Sequence, residues 1–227
     1  MKQENKDLTE EKNTSNFENI GDQTAAMFIS TATEMIDEVG YDNLSIRKIA
    51  DRTGYHNSTI YLHFKDFNEL LMLASMKHFA AYSDKLEKLS KEDLSGKDEF
   101  LSIWEVWTDS SLKYPEVFYN FFFGKHSNNL EKVMKRYYEI FPEESHIYAN
   151  EIEHMYFGND ISTRSKNILN LIKDNNSGVN DNNIDMINEI IISFCKYKLE
   201  QKCKNSKLDA DELKRQIMDM IHYVCKI

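Results

Sequence analysis

The 227-residue chain is long enough to bury a sizeable core, and its 41% hydrophobic content excludes an intrinsically disordered chain. Seven glycines and two prolines leave few breaks for hairpins, so the composition favours long helices. A net charge of −10 argues against a protein that coats bulk DNA, because phosphate contacts dominate such binding.

Residues 1–16 mix basic and acidic side chains and are predicted to form a disordered, solvated tail rather than a basic DNA-binding arm. They hold no apolar signal-peptide core, and no stretch of the chain approaches the length of a membrane span. The three cysteines are odd in number and lack CxxC spacing, which is typical of a reducing compartment. They are interpreted as small apolar residues, with a redox switch as the alternative. These features predict a cytoplasmic protein without a membrane partner.

Local signals predict a helix-turn-helix in the N-terminal part of the chain. An apolar stripe at helical spacing indicates a first helix over residues 17–39. Ser45 stands at the N-cap position of a short helix over residues 46–53, which Gly54 ends. A second short helix follows over residues 57–64. Two short helices joined by a glycine-containing turn form a helix-turn-helix.

The rest of the chain also has the periodicity of helices. Asp66 is placed to cap a long helix over residues 67–88, and a polar stretch that contains a glycine puts a domain boundary near residues 85–97. Further helices are predicted over residues 98–113, 116–126, 129–140, 143–157, 161–174, 184–204 and 210–226. The prediction is an all-α protein of about nine to ten helices, with domains over residues 17–88 and 97–227.

Several sequence anchors occur together, without a gap, in residues 25–71. They are Gly40-Tyr41, Leu44–Ala50, Gly54-Tyr55, Thr59–Phe64 and Leu70-Leu71. With these anchors the segment resembles the N-terminal domain of the tetracycline-repressor (TetR) family. The resemblance implies a three-helix helix-turn-helix DNA-binding domain and a C-terminal helical domain for ligand binding and dimerisation. It also implies a homodimeric repressor that leaves a palindromic double-stranded DNA operator when a small-molecule inducer binds.

The helix-turn-helix has an apolar side and a polar side. The predicted core consists of Ile46, Ile49, Ala50, Ile60 and Phe64. The polar groups left outside it suit phosphate oxygens and base edges in a major groove. By the resemblance, residues 57–63 form the recognition helix. Phosphate contacts are then assigned to Ser45, Tyr61 and His63, and base-edge contacts to Arg47, Asn57, Ser58 and Thr59.

Two positions depart from the family pattern. Phe67 stands where the family usually has a lysine that touches phosphate, and Lys65 is predicted to compensate as a DNA contact. His56 stands where a capping serine is usual, which predicts a recognition helix that frays in the free protein. Four basic and two acidic residues in residues 43–66 leave a local charge of +2 against −12 elsewhere. Such a patch suits selective binding to a few DNA sites.

Aromatic side chains are dense over residues 104–157. In the resembled family, helices of this region enclose an inducer cavity, and such pockets are apolar with a few polar groups. The predicted lining is Trp104, Trp107, Tyr114, Phe118, Phe122 and Tyr156, with polar contacts from His126, His146 and His154. Ordinary core packing is the alternative for each ring. The predicted ligand is apolar or aromatic, and the acidic excess with the available rings also admits a cationic one.

The two closing helices are amphipathic. By the resemblance they pair with their copies in a four-helix bundle, and the alternative is packing within one chain. The predicted dimer interface is Ile187, Ile191, Phe194, Ile217, Met220, Ile221 and Val224. A two-fold dimer would hold its recognition helices about one DNA turn (~34 Å) or somewhat more apart and would read a palindrome.

Patterns of catalytic or metal-ligand spacing do not occur in the sequence. Glu143 precedes His146 and Glu151 precedes His154 by three residues, but neither pair forms a zinc motif. The sequence therefore predicts no enzyme activity, no metal and no cofactor. Two alternatives to a ligand-released repressor stay open. One is a ligand-independent activator. The other is an interaction protein with a degenerate helix-turn-helix, and the replacement of the usual lysine by Phe67 is the reason to retain it.

Overall fold

The computed structural model describes residues 23–94, 96–144 and 160–227, and the regular elements in these ranges are helices. Short 3-10 turns lie at Tyr41–Asn43, Ser127–Asn129 and Pro142–Glu144. The α-helices are α1 (23–39), α2 (Ile46–Thr53), α3 (Asn57–His63), α4 (Phe67–Ala74), α5 (Met76–Ser90), α6 (Gly96–Lys113), α7 (Pro115–Phe123), α8 (Leu130–Ile140), α9 (Ile161–Leu169), α10 (Ile184–Lys204) and α11 (Ala210–Cys225). The all-α prediction is confirmed. The predicted tail over residues 1–16 and most of the predicted helix over residues 143–157 lie outside the described residues.

Packing divides the chain into two compact units. Unit 1 comprises Met1–Ala74 and Lys135–Ser145, and unit 2 comprises Ser75–Met134 and His146–Ile227. Unit 1 therefore holds α1 to α4 and the end of α8, and unit 2 holds α5 to α7, the start of α8 and α9 to α11. The domain ranges predicted from the sequence, 17–88 and 97–227, stay predictions.

The long helix predicted over residues 67–88 is two helices, α4 and α5, which meet at Ser75. The hydroxyl of Thr33 donates to the carbonyl oxygen of Ala74 at 2.8 Å, where a continuous helix would place the amide of His78. That amide donates instead to the carbonyl oxygen of Ser75 at 3.1 Å, which tightens the turn. The division adds one helix to the predicted ranges, while most of the range 143–157 lies outside the described residues, so eleven α-helices are described.

Capping side chains define the ends of the helix-turn-helix. At the start of α2 the Ser45 hydroxyl accepts the amide of Lys48 at 3.3 Å. Gly54 ends α2 in the left-handed region, with a φ of 75°. A Cβ atom at Gly54 would meet nothing within 4 Å. Any other residue there would therefore be penalised by the backbone alone, at about 1 kcal/mol.

The apolar side of the helix-turn-helix packs against α1. The buried set is Phe28, Ile49, Ala50, Ile60 and Phe64. The Phe28 ring meets the rings of Tyr55 and Phe64 at centroid distances of 5.4 and 6.4 Å. Ile46, which was also predicted to lie in this core, is half-buried. Because the apolar side is fully used in this core, the opposite side of α2 and α3 is left to solvent.

Unit 2 is built around α10, which packs against α7, α9 and α11, while α11 also packs against α6. Cys195 and Cys225 are buried in it, and burial raises the pKa of both thiols, that of Cys225 to about 12. Thiols that stay protonated at neutral pH favour the interpretation as apolar packing residues over a redox switch. Within the described ranges, no helix combines the length and apolar character needed to cross a membrane.

Candidate nucleic-acid interface and ligand cavity

The side of α2 and α3 that faces away from the core is polar. It carries the eight residues predicted to contact DNA, here called the polar face: Ser45, Arg47, Asn57, Ser58, Thr59, Tyr61, His63 and Lys65. Five of these side chains are exposed, while Ser45, Thr59 and His63 are half-buried. Tyr61 is 57% exposed at the middle of α3, and its neighbour Leu62 is 81% exposed. The polar face is therefore accessible along its whole length.

The N-terminus of α3 is capped by His56, while fraying of this helix in the free protein stays a prediction. The Nδ1 atom of His56 accepts the amide of Ser58 at 3.3 Å and lies 2.8 Å from the Ser58 hydroxyl. The prediction treated histidine as a poor cap, but its δ-nitrogen reaches the same amide that a serine hydroxyl would bind.

The arginines near the polar face differ in their partners. The side chain of Arg47 is 83% exposed, and its guanidinium lies 3.8 Å from the Asp51 carboxylate. Arg52 forms a two-pronged hydrogen bond with Glu38 of α1, with one distance of 2.7 Å. The Arg52 guanidinium lowers the pKa of the Glu38 carboxyl. Arg47 is therefore the more available of the two for a ligand on the polar face.

Arg136 of α8 holds the end of α3, a role that was not predicted from the sequence. Its guanidinium donates to the carbonyl oxygen of His63 and pairs with the buried Glu69 carboxylate at 2.7 Å. The same group lies 5.4 Å from the ring centroid of Phe64. Glu69 also accepts the backbone amide of Lys65 at 2.6 Å. These contacts, all within unit 1, fix the turn between α3 and α4.

Unit 2 contains a cavity between α5, α6, α7 and α9. The empty space among its lining residues, counted together with the adjoining open solvent, is about 430 Å³. The described lining residues are Tyr82, Leu86, Ile103, Trp104, Trp107, Phe122, Ile161, Arg164, Ser165 and Ile168. A mostly apolar wall with a few polar groups is typical of small-molecule sites.

Three of the six rings predicted to contact a ligand, those of Trp104, Trp107 and Phe122, line this cavity. Phe118 does not, because it is buried and its ring packs against Tyr82 at 5.5 Å. Tyr114 stacks on His78 at 4.3 Å and is likewise not among the lining residues. Tyr156, His146 and His154 lie outside the described residues, and His126 is half-buried beyond the end of α7.

Arg164, which lines the cavity, was not among the residues predicted to contact a ligand. It lies on α9 in the stripe Ile161, Arg164, Ser165 and Ile168, which has the spacing of one helix face. An arginine on a helix face between two isoleucines was a signal in the sequence, because charged residues are rarely buried.

The predicted dimer residues fall into two groups. Ile187, Ile191, Ile217 and Ile221 are buried within unit 2, which corrects their assignment to an interface between chains. They pack in the core because α10 lies against α7, α9 and α11 within one chain. Phe194, Met220 and Val224 are half-buried. Large apolar side chains that sequence analysis did not select are exposed next to them: Met186, Ile190, Tyr197 and Tyr223.

Residues 28–72, which include the whole helix-turn-helix, match the family model described as bacterial regulatory proteins, tetR family. In this segment the chain is therefore similar to the N-terminal domain of that family. A curated relative is the fatty acid metabolism regulator protein of Bacillus subtilis (strain 168), which is 31% identical over 71 residues. That match covers 31% of this chain and 37% of the relative, so the two share only a little over a third of the relative's length.

Two solved structures also resemble the chain. A TetR-like transcriptional regulator from Rhodococcus sp. RHA1 has a TM-score of 0.47 and 9% identity, over 86% of this chain and 91% of that one. A TetR-family transcriptional regulator from Mesorhizobium loti MAFF303099 has a TM-score of 0.48 and 12% identity, over 90% of this chain and 96% of that one.

One departure of this chain from the TetR-family pattern concerns the start of α4. Phe67, in place of the usual lysine, is half-buried, whereas Lys65 is exposed. The amide of Lys65 is bound to Glu69, so its backbone is fixed while its side chain extends into solvent. Lys65 therefore keeps a positive charge beside the end of α3.

Proposed function

We propose that this chain is a sequence-specific, DNA-binding transcriptional regulator of the cytoplasm. In this proposal it represses from a palindromic operator and is released by a small apolar or aromatic molecule. The observation that carries the proposal is the polar face, which holds eight accessible polar side chains. The opposite, apolar side of the helix-turn-helix is buried in the core of unit 1. No enzyme activity is part of the proposal.

The residues of the polar face divide by chemistry between the DNA backbone and the bases. Ser45, Tyr61 and His63 offer hydroxyl and imidazole groups to phosphate oxygens, and Lys65 adds a charge. The base edges are left to the exposed guanidinium and amide on the same face, where Arg47 suits guanine and Asn57 suits adenine. Ser58 and Thr59 flank Asn57 on α3 and suit either base.

The proposed active form is a homodimer. One face of α10 carries four large apolar side chains at steps of four, four and three residues, namely Met186, Ile190, Phe194 and Tyr197. None of these side chains is fully buried. Tyr223 adds a nearly fully exposed ring on α11, beside the half-buried Met220 and Val224. Contiguous exposed apolar surface of this kind is typical of an interface between chains. A second copy of the same chain would cover it by two-fold symmetry.

Tyr197→Asp is expected to shift the protein from dimer to monomer, because a carboxylate would be buried in an apolar interface without a partner. Sedimentation velocity at a series of protein concentrations measures this shift. Tyr197→Phe is the matched control: it keeps the ring, loses only the hydrogen bond from Gln201 at 3.0 Å, and should stay dimeric. A dimer of unchanged stability in Tyr197→Asp would place the interface elsewhere.

Release follows in this proposal from the continuity of the chain. The helix α5 supplies Tyr82 and Leu86 to the cavity wall and follows α4 after Ser75 alone. A ligand that favours one position of α5 would thereby bias the helix-turn-helix. Coupling of about 1–3 kcal/mol between the two sites would change DNA affinity about 5–150-fold.

A second candidate function is an interaction protein with a degenerate helix-turn-helix. The 81% exposure of Leu62 on α3 and the replacement of the usual lysine by Phe67 favour it. Binding to genomic DNA over a range of salt concentrations separates the two candidates. A DNA regulator loses affinity linearly in log salt as counterions return to the phosphates, whereas the interaction protein would not bind DNA at any salt concentration.

A further inference from the structure

The polar groups in the cavity wall of unit 2 are hydrogen-bond donors. Arg164 supplies a guanidinium, Trp104 and Trp107 each supply an indole N–H, and Ser165 supplies a hydroxyl. Among the described lining residues, none carries a carboxylate. A ligand that complements this wall must therefore bring acceptors or negative charge.

Arg164 gives this wall a permanent positive charge. The residue is 5% exposed, and its guanidinium carbon lies 5.8 Å from the ring centroid of Phe122. Burial raises the pKa of the Tyr82 hydroxyl, and the charge of Arg164 opposes that rise, so the charge acts across the cavity wall. An arginine keeps its proton throughout the physiological pH range. Its attraction for an anion is strengthened by the apolar surroundings.

Three neutral groups near this charge are buried without a partner. The Nε1 atoms of Trp104 and Trp107 and the Oγ atom of Ser165 have no hydrogen-bond partner in the part of the chain that the structure describes. Buried donors left unbonded destabilise a protein, and a ligand with acceptor oxygens would satisfy them.

We propose that the cavity binds an organic anion with an apolar body, namely an ionised carboxylic acid whose carboxylate pairs with Arg164. The proposal rests on the proposed function, which assigns unit 2 a small-molecule ligand, and it names the class of that ligand. A guanidinium matches a carboxylate with two parallel hydrogen bonds, and the indole rings suit an apolar body. A cationic ligand was an alternative from the sequence, but the positive charge of Arg164 would repel it.

The intrinsic fluorescence of the protein reports on this cavity. The chain has two tryptophans, and both line the wall. The test uses 4-phenylbutyrate and decanoate, each compared with the matched amide and the matched primary ammonium compound. Both carboxylates are expected to change the tryptophan emission at concentrations at least about tenfold below those needed with their amide and ammonium partners.

Variants on α9 connect the charge preference to Arg164. In Arg164→Met the affinity for both carboxylates should fall about 10–100-fold, while affinity for the amides stays unchanged. Arg164→Lys keeps the charge without the planar fork and should recover part of the loss. Lys166→Ala is the matched control, since Lys166 lies on α9, pairs with Asp185 at 2.6 Å and does not line the cavity. Far-UV circular dichroism checks that each variant is folded.

Amide or ammonium compounds that bind the wild-type protein as tightly as the carboxylates would overturn the ligand class. The absence of a response to both carboxylates up to their solubility limits would overturn it as well. Because this assay needs no DNA, its failure is separate from that of the proposed regulator. A carboxylate that binds but leaves DNA affinity unchanged would support the ligand class and contradict the proposed release. If only ligands of another class released the protein from DNA, the proposed release would stand and the ligand class would be wrong.

Discussion

Replacement of Arg47 or Tyr61 with alanine is expected to abolish operator binding and to leave the fold intact. Neither side chain belongs to the core, and Arg47 contributes only a distant ion pair with Asp51 to its surroundings. Exposed substitutions of this kind change stability by no more than about 0.5 kcal/mol. DNA would instead lose a guanidinium at a base edge or a phenol at a phosphate.

The expected loss of DNA affinity depends on the two half-sites of the palindromic operator, each of which is bound by one copy of the chain. A bidentate base contact contributes about 1–3 kcal/mol of discrimination, so a palindrome read by a dimer would lose about twice that with Arg47→Ala. A gel shift with a selected operator measures the loss, and thermal unfolding checks the fold. Lys91→Ala, which removes an exposed charge of unit 2 that pairs with Glu87, is the control and should bind normally. Unchanged affinity in both Arg47→Ala and Tyr61→Ala would count against the proposed docking.

Arg136→Ala is expected to weaken both the fold of unit 1 and the binding of DNA, although Arg136 is not on the polar face. Its loss would leave the buried carboxylate of Glu69 without its cation and the carbonyl of His63 without its donor. Breaking a buried pair costs about 3–5 kcal/mol, and we expect about 2–3 kcal/mol here because the arginine side chain is 32% exposed. Chemical denaturation measures this change.

A positioning role for Arg136 can be told from a direct DNA contact by the dependence of binding on salt. Arg136→Ala should lower operator affinity without changing the slope of log affinity against log salt, because no phosphate contact is lost. Lys65→Ala, which removes a proposed phosphate contact, should reduce that slope by about one per half-site. Lys135→Ala is the control on the same helix, with an exposed side chain. A reduced slope in Arg136→Ala, or unchanged affinity, would show that it does not act as a positioning residue.

The helix-turn-helix could be predicted because its determinants are local. The cap at Ser45, the left-handed Gly54 and the apolar spacing of Ile49 and Ile60 act within a few residues of one another. The break at Ser75 could not be predicted from local signals, because the Thr33 hydroxyl that donates to the carbonyl of Ala74 lies 41 residues away in the chain. The same holds for Arg136, which reaches Glu69 across 67 residues.

Helical periodicity also could not identify the outer face of α10. This helix has an inner apolar stripe, which includes Ile187 and Ile191, and an outer one, which includes Met186 and Ile190. Both stripes have the same spacing, so the sequence alone does not tell core from interface. The packing of α10 against α7, α9 and α11 decides between them.

In the proposed dimer, the two copies of α3 contact the two halves of one DNA site. Selection of bound fragments from a random pool of double-stranded DNA, with the full-length protein, tests this arrangement most directly. We expect enrichment of an inverted repeat whose half-site centres lie about one helical turn or somewhat more apart, and no enrichment with Tyr61→Ala. A pool that stays random with the wild-type protein, or an enriched motif that Tyr61→Ala binds equally well, would contradict this arrangement.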